Sequence, residues 1–345
     1  MTELEKSCTA IEEEINGKFL DKRMNNTALI ESFIRLKRFR QAEQVSWCGT
    51  QLEFKAPADQ SEAPKLFKAN FCKNRLCSMC TWRRSMKIFG QVSQVMDVIQ
   101  SDYEFIFLTL TVRNCSAAML PATIDQLQEG FNRLMKTAQI RKAFKGYFKA
   151  LEITHHPEYL RDVEYHPHLH LIVAVNKSYF TSRDYISQAK LMRYWQTACA
   201  IDYEPSVRIQ KVKPKDEEKK KKGDEIALQN AIKEVAKYSV KNSEVTRGSF
   251  DEIDRTVETY ITALASRRLC SFGGIFKKTA KALKLDDLTE GDLVRTDIEH
   301  VRSDVAYMII GYKWQIGFGY VREFIKEENK NDDAGTGNGI YEKLR

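Results

Sequence analysis

The chain has 345 residues, and its hydrophobic content of 43% and aromatic content of 10% exclude a disordered protein and allow two or three domains. Its 55 Lys and Arg residues against 47 Asp and Glu residues give a formal net charge of +8, a mild preference for a polyanionic partner. The sequence has no apolar run of about 18 residues and no signal-peptide pattern at its N-terminus, so we expect a cytoplasmic protein without a membrane partner.

The first part of the chain is predicted to be helical. Residues 1–45 have helical character, and Asn26 or Thr27 is a plausible N-cap for a helix that follows. That helix carries several arginines and lysines, which form either a solvated basic face or a surface that contacts DNA. The solvated face is the simpler interpretation.

Four of the eight cysteines lie close together in the sequence: Cys48, Cys72, Cys77 and Cys80. In a reducing compartment, clustered cysteines bind metal more often than they form disulfides. The Cys77 and Cys80 pair has the spacing that places two thiolates on one tetrahedral ion, and Cys48 and Cys72 would supply the other two. The pattern predicts a structural Zn²⁺ site, with unliganded cysteines as the alternative.

The segment 65–87 carries seven basic residues and no acidic one, with Phe67, Phe71 and Trp82 between them. Basic groups for phosphates and rings for stacked bases are what a single-stranded DNA surface requires. In the alternative interpretation, the rings pack around a zinc knuckle and the charges are solvated. The candidate DNA-binding residues of this segment are Lys73, Arg75, Arg83 and Arg84.

The next segments predict an α+β sandwich. Apolar spacing of three and four residues predicts helices over 83–100 and 124–138. Apolar and β-branched runs predict strands over 104–112 and 146–154, followed by a strand that contains 171–175. The order helix, strand, helix, strand, strand is that of helices covering an antiparallel sheet.

That last strand carries three of the six histidines of the chain. Alternate side chains of a strand share a face, so His166, His168 and His170 are expected to point the same way. Two neutral imidazoles at this spacing can hold one divalent ion and leave positions open for water or a phosphate oxygen. The alternative is that they are ordinary polar residues on a half-buried strand.

The third ligand of such an ion has two candidates. Glu152 lies on the neighbouring predicted strand, and a carboxylate opposite two histidines makes a mixed site suited to Mg²⁺ or Mn²⁺. His166 competes with it. We favour Glu152 because a hairpin partner strand approaches the ion from a new direction.

A second constellation lies on the helix predicted over 224–241. Glu234 and Tyr238 are one helical turn apart on the same face, and Lys241 also lies beside Tyr238. A tyrosine hydroxyl is a poor nucleophile at its free pKa of about 10, so it needs an activated phosphate and nearby cations such as Lys237. By itself such a helix is common in proteins. Its position after the histidine strand makes Tyr238 a candidate nucleophile.

These motifs together resemble a known family. His168-Leu169-His170 is similar to the His-hydrophobe-His signature of the HUH endonucleases, and the run from Glu234 to Lys241 is similar to their tyrosine motif. In detail, with the cysteine run 71–84 and the segment 107–111, the chain resembles the type 1 replication initiators of rolling-circle plasmids from Gram-positive bacteria.

The resemblance implies an RRM-like antiparallel sheet with the histidines on its central strand. It implies metal-dependent nicking and joining at the plasmid's double-strand origin, in which Tyr238 forms a 5′-phosphotyrosine and leaves a 3′-hydroxyl for a host DNA polymerase. Glu234 would activate water for the terminating cleavage. An HUH relaxase or transposase, and a non-catalytic zinc-containing DNA-binding regulator, are the alternatives.

The rest of the chain is less informative. No P-loop of the form GxxxxGK[ST] occurs, so a host helicase is expected to unwind the DNA. Residues 307–323 predict one or two strands. We expect four regions: a helical and cysteine-rich DNA-binding region over 1–95, an endonuclease domain over 96–280, a small C-terminal region over 281–325 and a flexible tail over 326–345.

Overall fold

The computed structural model describes residues 3–59, 62–156, 164–212, 232, 242–296 and 306–327. The chain divides into two compact units, the first formed by Met1–Arg84 with Asp292–Arg345 and the second by Ser85–Gly291. Both contain helices and an antiparallel sheet, which confirms the mixed helix and antiparallel-sheet class expected from the sequence. In the part of the chain that is described, no helix combines the length and hydropathy that a bilayer crossing requires.

Among its described residues, the first unit contains four complete α-helices and a four-stranded sheet. The helices are α1 (Glu3–Glu14), α2 (Leu20–Met24), α3 (Thr27–Arg35) and α4 (Phe39–Trp47), with a π-helical turn over Ile15–Phe19. The strands are β1 (Gln51–Pro57), β2 (Lys65–Ala69), β8 (Tyr307–Gln315) and β9 (Gly319–Glu327), in the order β2-β1-β8-β9. The helical character predicted for residues 1–45 is confirmed.

The pairing of β1 with β8 joins segments that are far apart in the sequence. The two strands are antiparallel over the whole length of β1, from Gln51 opposite Lys313 to Pro57 opposite Tyr307. The strands predicted over 307–323, which we expected in a small region of their own, therefore complete the sheet of the N-terminal segment, and β9 continues to Glu327, into the segment expected to be a flexible tail. Strand pairing over such a separation leaves no local pattern in the sequence, which explains the difference.

The second unit is built on a five-stranded antiparallel sheet with the order β6-β3-β5-β4-β7. Its strands are β3 (Tyr103–Thr111), β4 (Phe144–His156), β5 (Glu164–Asn176), β6 (Val207–Lys211) and β7 (Cys270–Gly273). The histidine strand β5 is the central one, as expected, and it pairs with β3 on one side and β4 on the other.

The remaining helices are α5 (Ser78–Ile99), α6 (Leu120–Lys136), α7 (Ala138–Ala143), α8 (Gln188–Cys199), α9 (Asn242–Val245), α10 (Phe250–Leu264) and α11 (Gly274–Ala282). Helix α6 buries the apolar residues whose spacing predicted it, Ile124, Leu127, Phe131 and Leu134. Helix α8 begins at Gln188, because Ser187 caps it by accepting the backbone N–H of Lys190.

Candidate active site

Three adjacent strands of the second unit bring the predicted ligands together. Glu152 on β4 lies opposite His168 on β5, and Thr109 on β3 lies opposite His170. The period of two places His168 and His170 on one face of β5. The site therefore lies on the central strand and receives one side chain from each neighbouring strand.

The three ligand atoms converge at one point. Oε2 of Glu152 is 2.9 Å from Nε2 of His170 and 3.4 Å from Nε2 of His168. The two Nε2 atoms are 3.0 Å apart. All three residues are buried. Such spacing between three potential ligand atoms fits a shared ion, although their role as ligands stays a prediction.

The second nitrogen of each imidazole is held by a neighbour. Nδ1 of His170 is 3.1 Å from Oγ1 of Thr109, and Nδ1 of His168 is 3.1 Å from the carbonyl oxygen of His166. A carbonyl oxygen only accepts, so Nδ1 of His168 donates this hydrogen bond, and its Nε2 is directed toward Glu152 and His170. Outer contacts of this kind orient metal-binding histidines.

His166 has a different position from the one expected for a ligand. Among the described residues, the group whose ligand atoms lie within 4.8 Å of one another contains Glu152, His168 and His170 but not His166. The His166 ring packs edge-on against the His168 ring, with centroids 5.3 Å apart. Its contribution to the site is the main-chain carbonyl, which sequence reasoning did not identify.

The electrostatics keep the Glu152 carboxylate ionised. Burial raises the pKa of Glu152, but the hydrogen bonds and charges of His168 and His170 outweigh it and hold that pKa below its ordinary value. The site thus offers one anionic oxygen and two imidazole nitrogens. This donor set fits a divalent cation that keeps open positions for water or phosphate.

A second candidate metal site lies in the first unit. The sulfurs of Cys48 and Cys80 are 3.5 Å apart, those of Cys72 and Cys80 3.6 Å, and those of Cys48 and Cys77 3.6 Å. A disulfide would need about 2.05 Å. Four sulfurs at 2.3 Å from one tetrahedral zinc ion are about 3.8 Å apart, so the cluster has nearly the required geometry.

Local backbone structure shapes the cysteine cluster. Cys48 follows helix α4, and Gly49 then turns the chain with a φ of +69°, a conformation that favours glycine. The backbone N–H groups of Cys72 and Asn74 donate to the sulfurs of Cys48 and Cys72, each at 3.4 Å. Donors directed at sulfur favour the thiolate form that binds metal, whereas burial raises the pKa of the Cys48 thiol well above its ordinary value.

Asn26 connects the start of helix α3 to this cluster. It occupies the predicted N-cap position, but its side chain makes no bond to α3. Instead, Nδ2 donates to the sulfur of Cys77 at 3.3 Å, and Oδ1 accepts the backbone N–H of Ser78 at 2.8 Å. Sequence reasoning placed the residue correctly at a helix start and missed its partner, 51 positions away.

Of the six residues predicted to bind DNA, four lie in segment 65–87, and two of these four, Arg83 and Arg84, are buried. Arg83 donates to the carbonyl oxygens of Leu293 at 2.8 Å and Val294 at 2.5 Å. Arg84 donates to the carbonyl oxygens of Asn74, at 3.2 Å, and Lys73. Their guanidinium groups therefore hold backbone in place and do not form the exposed basic surface that we expected.

The other two remain accessible. Lys73 is exposed and Arg75 is half-buried in the loop between the cysteines, so the prediction that they bind DNA stands for these two residues. The tyrosine motif, with Glu234, Lys237, Tyr238 and Lys241, lies outside the described residues.

The fold and the two clusters define a class: a protein of two antiparallel-sheet units, one with a Glu-His-His group and the other with four cysteines. Residues 63–321 match the replication protein family. The chain is 37% identical over 295 residues to "Protein rep" from a Bacillus species, which covers 83% of this chain and 94% of that protein.

Two further relatives have the same name. "Protein rep" of Bacillus amyloliquefaciens is 38% identical over 288 residues, 81% of this chain and 83% of that protein. "Protein rep" of Streptococcus pneumoniae serotype 2 is 39% identical over 259 residues, 74% of this chain and 75% of that protein. No solved structure matches the chain. The chain belongs to the replication protein family, which confirms the resemblance to plasmid replication initiators of Gram-positive bacteria.

Proposed function

We propose that the protein starts rolling-circle replication by nicking one strand of plasmid origin DNA, in the cytoplasm, and later rejoining it. The convergence of Glu152 on β4 with His168 and His170 on the central strand β5 of an antiparallel sheet carries this proposal. The family membership and the tyrosine motif Glu234–Lys241 support it. The sheet then corresponds to the RRM-like core of an HUH nuclease.

Glu152, His168 and His170 would hold one Mg²⁺ or Mn²⁺ ion. The ionised carboxylate and the two fixed imidazoles supply a mixed oxygen and nitrogen set that suits such an ion. When bound, the ion would supply Lewis-acid polarisation of the scissile phosphate. Hydrogen bonds of the Thr109 hydroxyl and the His166 carbonyl to Nδ1 of the two imidazoles would fix the orientation of the rings.

Tyr238 would provide the nucleophile. Its hydroxyl oxygen forms a bond to the scissile phosphorus, loses its proton, and the bond from phosphorus to the 3′-oxygen breaks. The 5′-phosphate stays on the tyrosine, and the 3′-oxygen takes up a proton to become the primer for a host DNA polymerase. Lys237 and Lys241 would contact the DNA phosphates, while a host helicase separates the strands.

Glu234 would act at termination. As a general base it removes a proton from water, whose oxygen bonds to the phosphorus of the second cleavage site while the bond from that phosphorus to the 3′-oxygen breaks. The released 3′-hydroxyl then attacks the phosphorus of the phosphotyrosine, and the bond to the Tyr238 oxygen breaks, which rejoins the strand without a second tyrosine. Separately, the four cysteines would hold a structural Zn²⁺ that fixes the loop with Lys73 and Arg75. The sulfur distances and the hydrogen bond from Asn26 support this site.

A covalent-trapping experiment tests the proposal. Wild type and Tyr238→Phe are incubated with Mn²⁺ and single-stranded oligonucleotides tiled across the DNA that flanks the gene, and the products are separated on denaturing gels. We expect a covalent protein–DNA band in wild type and none in the variant. Tyr185→Phe, a change at an exposed tyrosine, is the matched control and should retain the band.

Further measurements separate the individual roles. Glu234→Ala should retain the first cleavage and lose the terminating one. Elemental analysis should find one zinc per chain in wild type and none in Cys77→Ser, with Cys115→Ser as the control outside the cluster. A covalent band in Tyr238→Phe would refute the nucleophile assignment, and zinc-free wild type would refute the structural site.

A further inference from the structure

The turn between β8 and β9 presents two large apolar side chains to solvent. Ile316 is 92% exposed and Phe318 is 81% exposed. Gly317 and Gly319 have φ values of +85° and +81° and shape this short turn. Exposing two such side chains at the tip of a hairpin costs solvation free energy, which suggests a binding role.

The base of this hairpin is firmly held. The Tyr320 hydroxyl donates to the carbonyl oxygen of Gly49 at 2.6 Å, and the backbone N–H of Trp314 donates to the carbonyl oxygen of Thr50 at 2.8 Å. The rings of Trp314 and Tyr320 pack edge-to-face with centroids 5.2 Å apart. The guanidinium of Arg23 lies 4.6 Å above the Trp314 ring. The tip is thus an exposed end on a rigid support.

The strand register places cationic residues at the same end of the sheet. Lys313 lies opposite Gln51 at the start of β1, next to the cysteine cluster. Ala69, at the end of β2, lies opposite Leu52, so the loop that carries Lys73 also begins there. Lys73 and Lys313 are exposed, and Glu323 is 3.6 Å from the ammonium of Lys313. An apolar tip beside exposed cations suits a nucleic acid with a charged backbone and stacked bases.

We propose that Ile316 and Phe318 form a wedge that inserts between stacked base pairs of duplex origin DNA and opens them. Apolar side chains inserted in this way unstack and kink DNA in other proteins. Two side chains are too small for a stable protein interface, which buries about 800 Å² per partner. The identification of the DNA rests on the proposed function, because nicking of single-stranded DNA at a duplex origin first requires local opening.

The double variant Ile316→Ser, Phe318→Ser tests the wedge in the full-length protein. Duplex fragments tiled across the DNA that flanks the gene identify the bound sequence, and 2-aminopurine placed within it reports unstacking by a rise in fluorescence. We expect wild type to raise the fluorescence, and the double variant to lose the rise and bind the duplex roughly tenfold more weakly. Phe39→Ser, at another exposed phenylalanine of the first unit, should behave as wild type.

The outcomes distinguish the wedge from the proposed nicking activity. The double variant should still form the covalent adduct with single-stranded oligonucleotides, since the tip would act before cleavage. Unchanged duplex affinity and fluorescence in the double variant would overturn the wedge. The wedge would also be overturned if the double variant kept the fluorescence rise but lost self-association in analytical ultracentrifugation, because the tip would then join two copies of the chain. Absence of any covalent adduct in wild type would refute the nicking proposal. The fluorescence comparison between wild type and the double variant would then still test whether the tip unstacks base pairs.

Discussion

Glu152 and His168 lie directly opposite each other in the pairing of β4 with β5. This register directs both side chains to the same face of the sheet, where the carboxylate also reaches His170 at 2.9 Å. A slip of one residue would turn Glu152 to the opposite face. The two-strand hairpin therefore determines whether the candidate metal site exists.

Glu152→Gln should weaken metal binding. The amide keeps the size of the side chain but removes the negative charge, so we expect the affinity for Mn²⁺ to fall by at least roughly tenfold, the lower end of the range for perturbed metal sites. Calorimetric titration with Mn²⁺ measures it, together with the Mn²⁺ dependence of nicking. The control is Glu129→Gln, at an exposed glutamate of helix α6. Equal Mn²⁺ affinity in Glu152→Gln and wild type would remove this residue from the site.

Asn26→Ala should loosen the cysteine cluster. The change removes the donor to Cys77 and the acceptor for Ser78, and loss of such an outer contact typically lowers metal affinity about 10–100-fold. Competition with a chromophoric zinc chelator measures the change. Asn25→Ala alters an exposed neighbour whose side chain donates to Asp21, and it should match wild type. Identical chelator competition in both variants would show that Asn26 has no influence on zinc.

Lys73→Ala and Arg83→Ala should differ in their effects. Lys73 is exposed, so its removal should reduce the slope of the logarithm of the DNA-binding constant against the logarithm of the salt concentration by about one, the contribution of one phosphate contact. Arg83 bonds two backbone carbonyls, so Arg83→Ala should leave that slope unchanged and lower the free energy of unfolding by about 1–3 kcal/mol. Binding at several salt concentrations and chemical denaturation measure the two effects. A reduced slope in Arg83→Ala would restore it as a DNA-binding residue.

Lys149→Met should stabilise the protein at neutral pH. Burial lowers the pKa of the Lys149 ammonium from 10.5 to about 8, and its Nζ lies 4.6 Å from the centre of the Phe131 ring. At pH 7 the folded state therefore contains a buried charge, and we expect the variant to gain about 1–3 kcal/mol after loss of the hydrogen bond to Gln128.

The gain should depend on pH in a defined direction. Between pH 8 and 10.5 the folded wild type releases the Lys149 proton before the unfolded chain does, so wild-type stability rises and the difference from the variant shrinks. Chemical denaturation at pH 7 and pH 10 measures the difference in free energy of unfolding between wild type and Lys149→Met. Lys136→Met, at an exposed lysine, is the control. A constant difference between the two pH values would contradict a buried charge at Lys149.

Local patterns in the sequence predicted much of the second unit. The apolar spacing of helix α6 follows from its one buried face and the continuous apolar run of β5 from burial of both faces, and adjacent hairpin strands placed Glu152 beside the histidines. Clustering of cysteines likewise predicted the four that converge. These features depend on residues close in the sequence or on ligands of a distinctive type.

Other features could not be predicted because they depend on distant, chemically ordinary partners. Asn26 and Thr109 each contact a site through a neutral side chain that many surface positions carry. The run of basic residues did not distinguish buried Arg83 and Arg84 from exposed Lys73, because charge alone does not reveal which backbone carbonyls lie nearby. The role of Tyr238 as the nucleophile stays a prediction.

The pairing of β1 with β8 has a consequence for synthesis on the ribosome. The first unit cannot complete its sheet until residues 307–315 have emerged, whereas the second unit, Ser85–Gly291, is already complete in sequence by then. Domains fold as units during translation, so the unit with the histidines would fold first. Until residues 307–315 emerge, the edge of β1 that pairs with β8 remains without a partner strand. A nascent chain stalled near residue 291 would therefore carry a folded histidine sheet and an unfinished, aggregation-prone N-terminal segment.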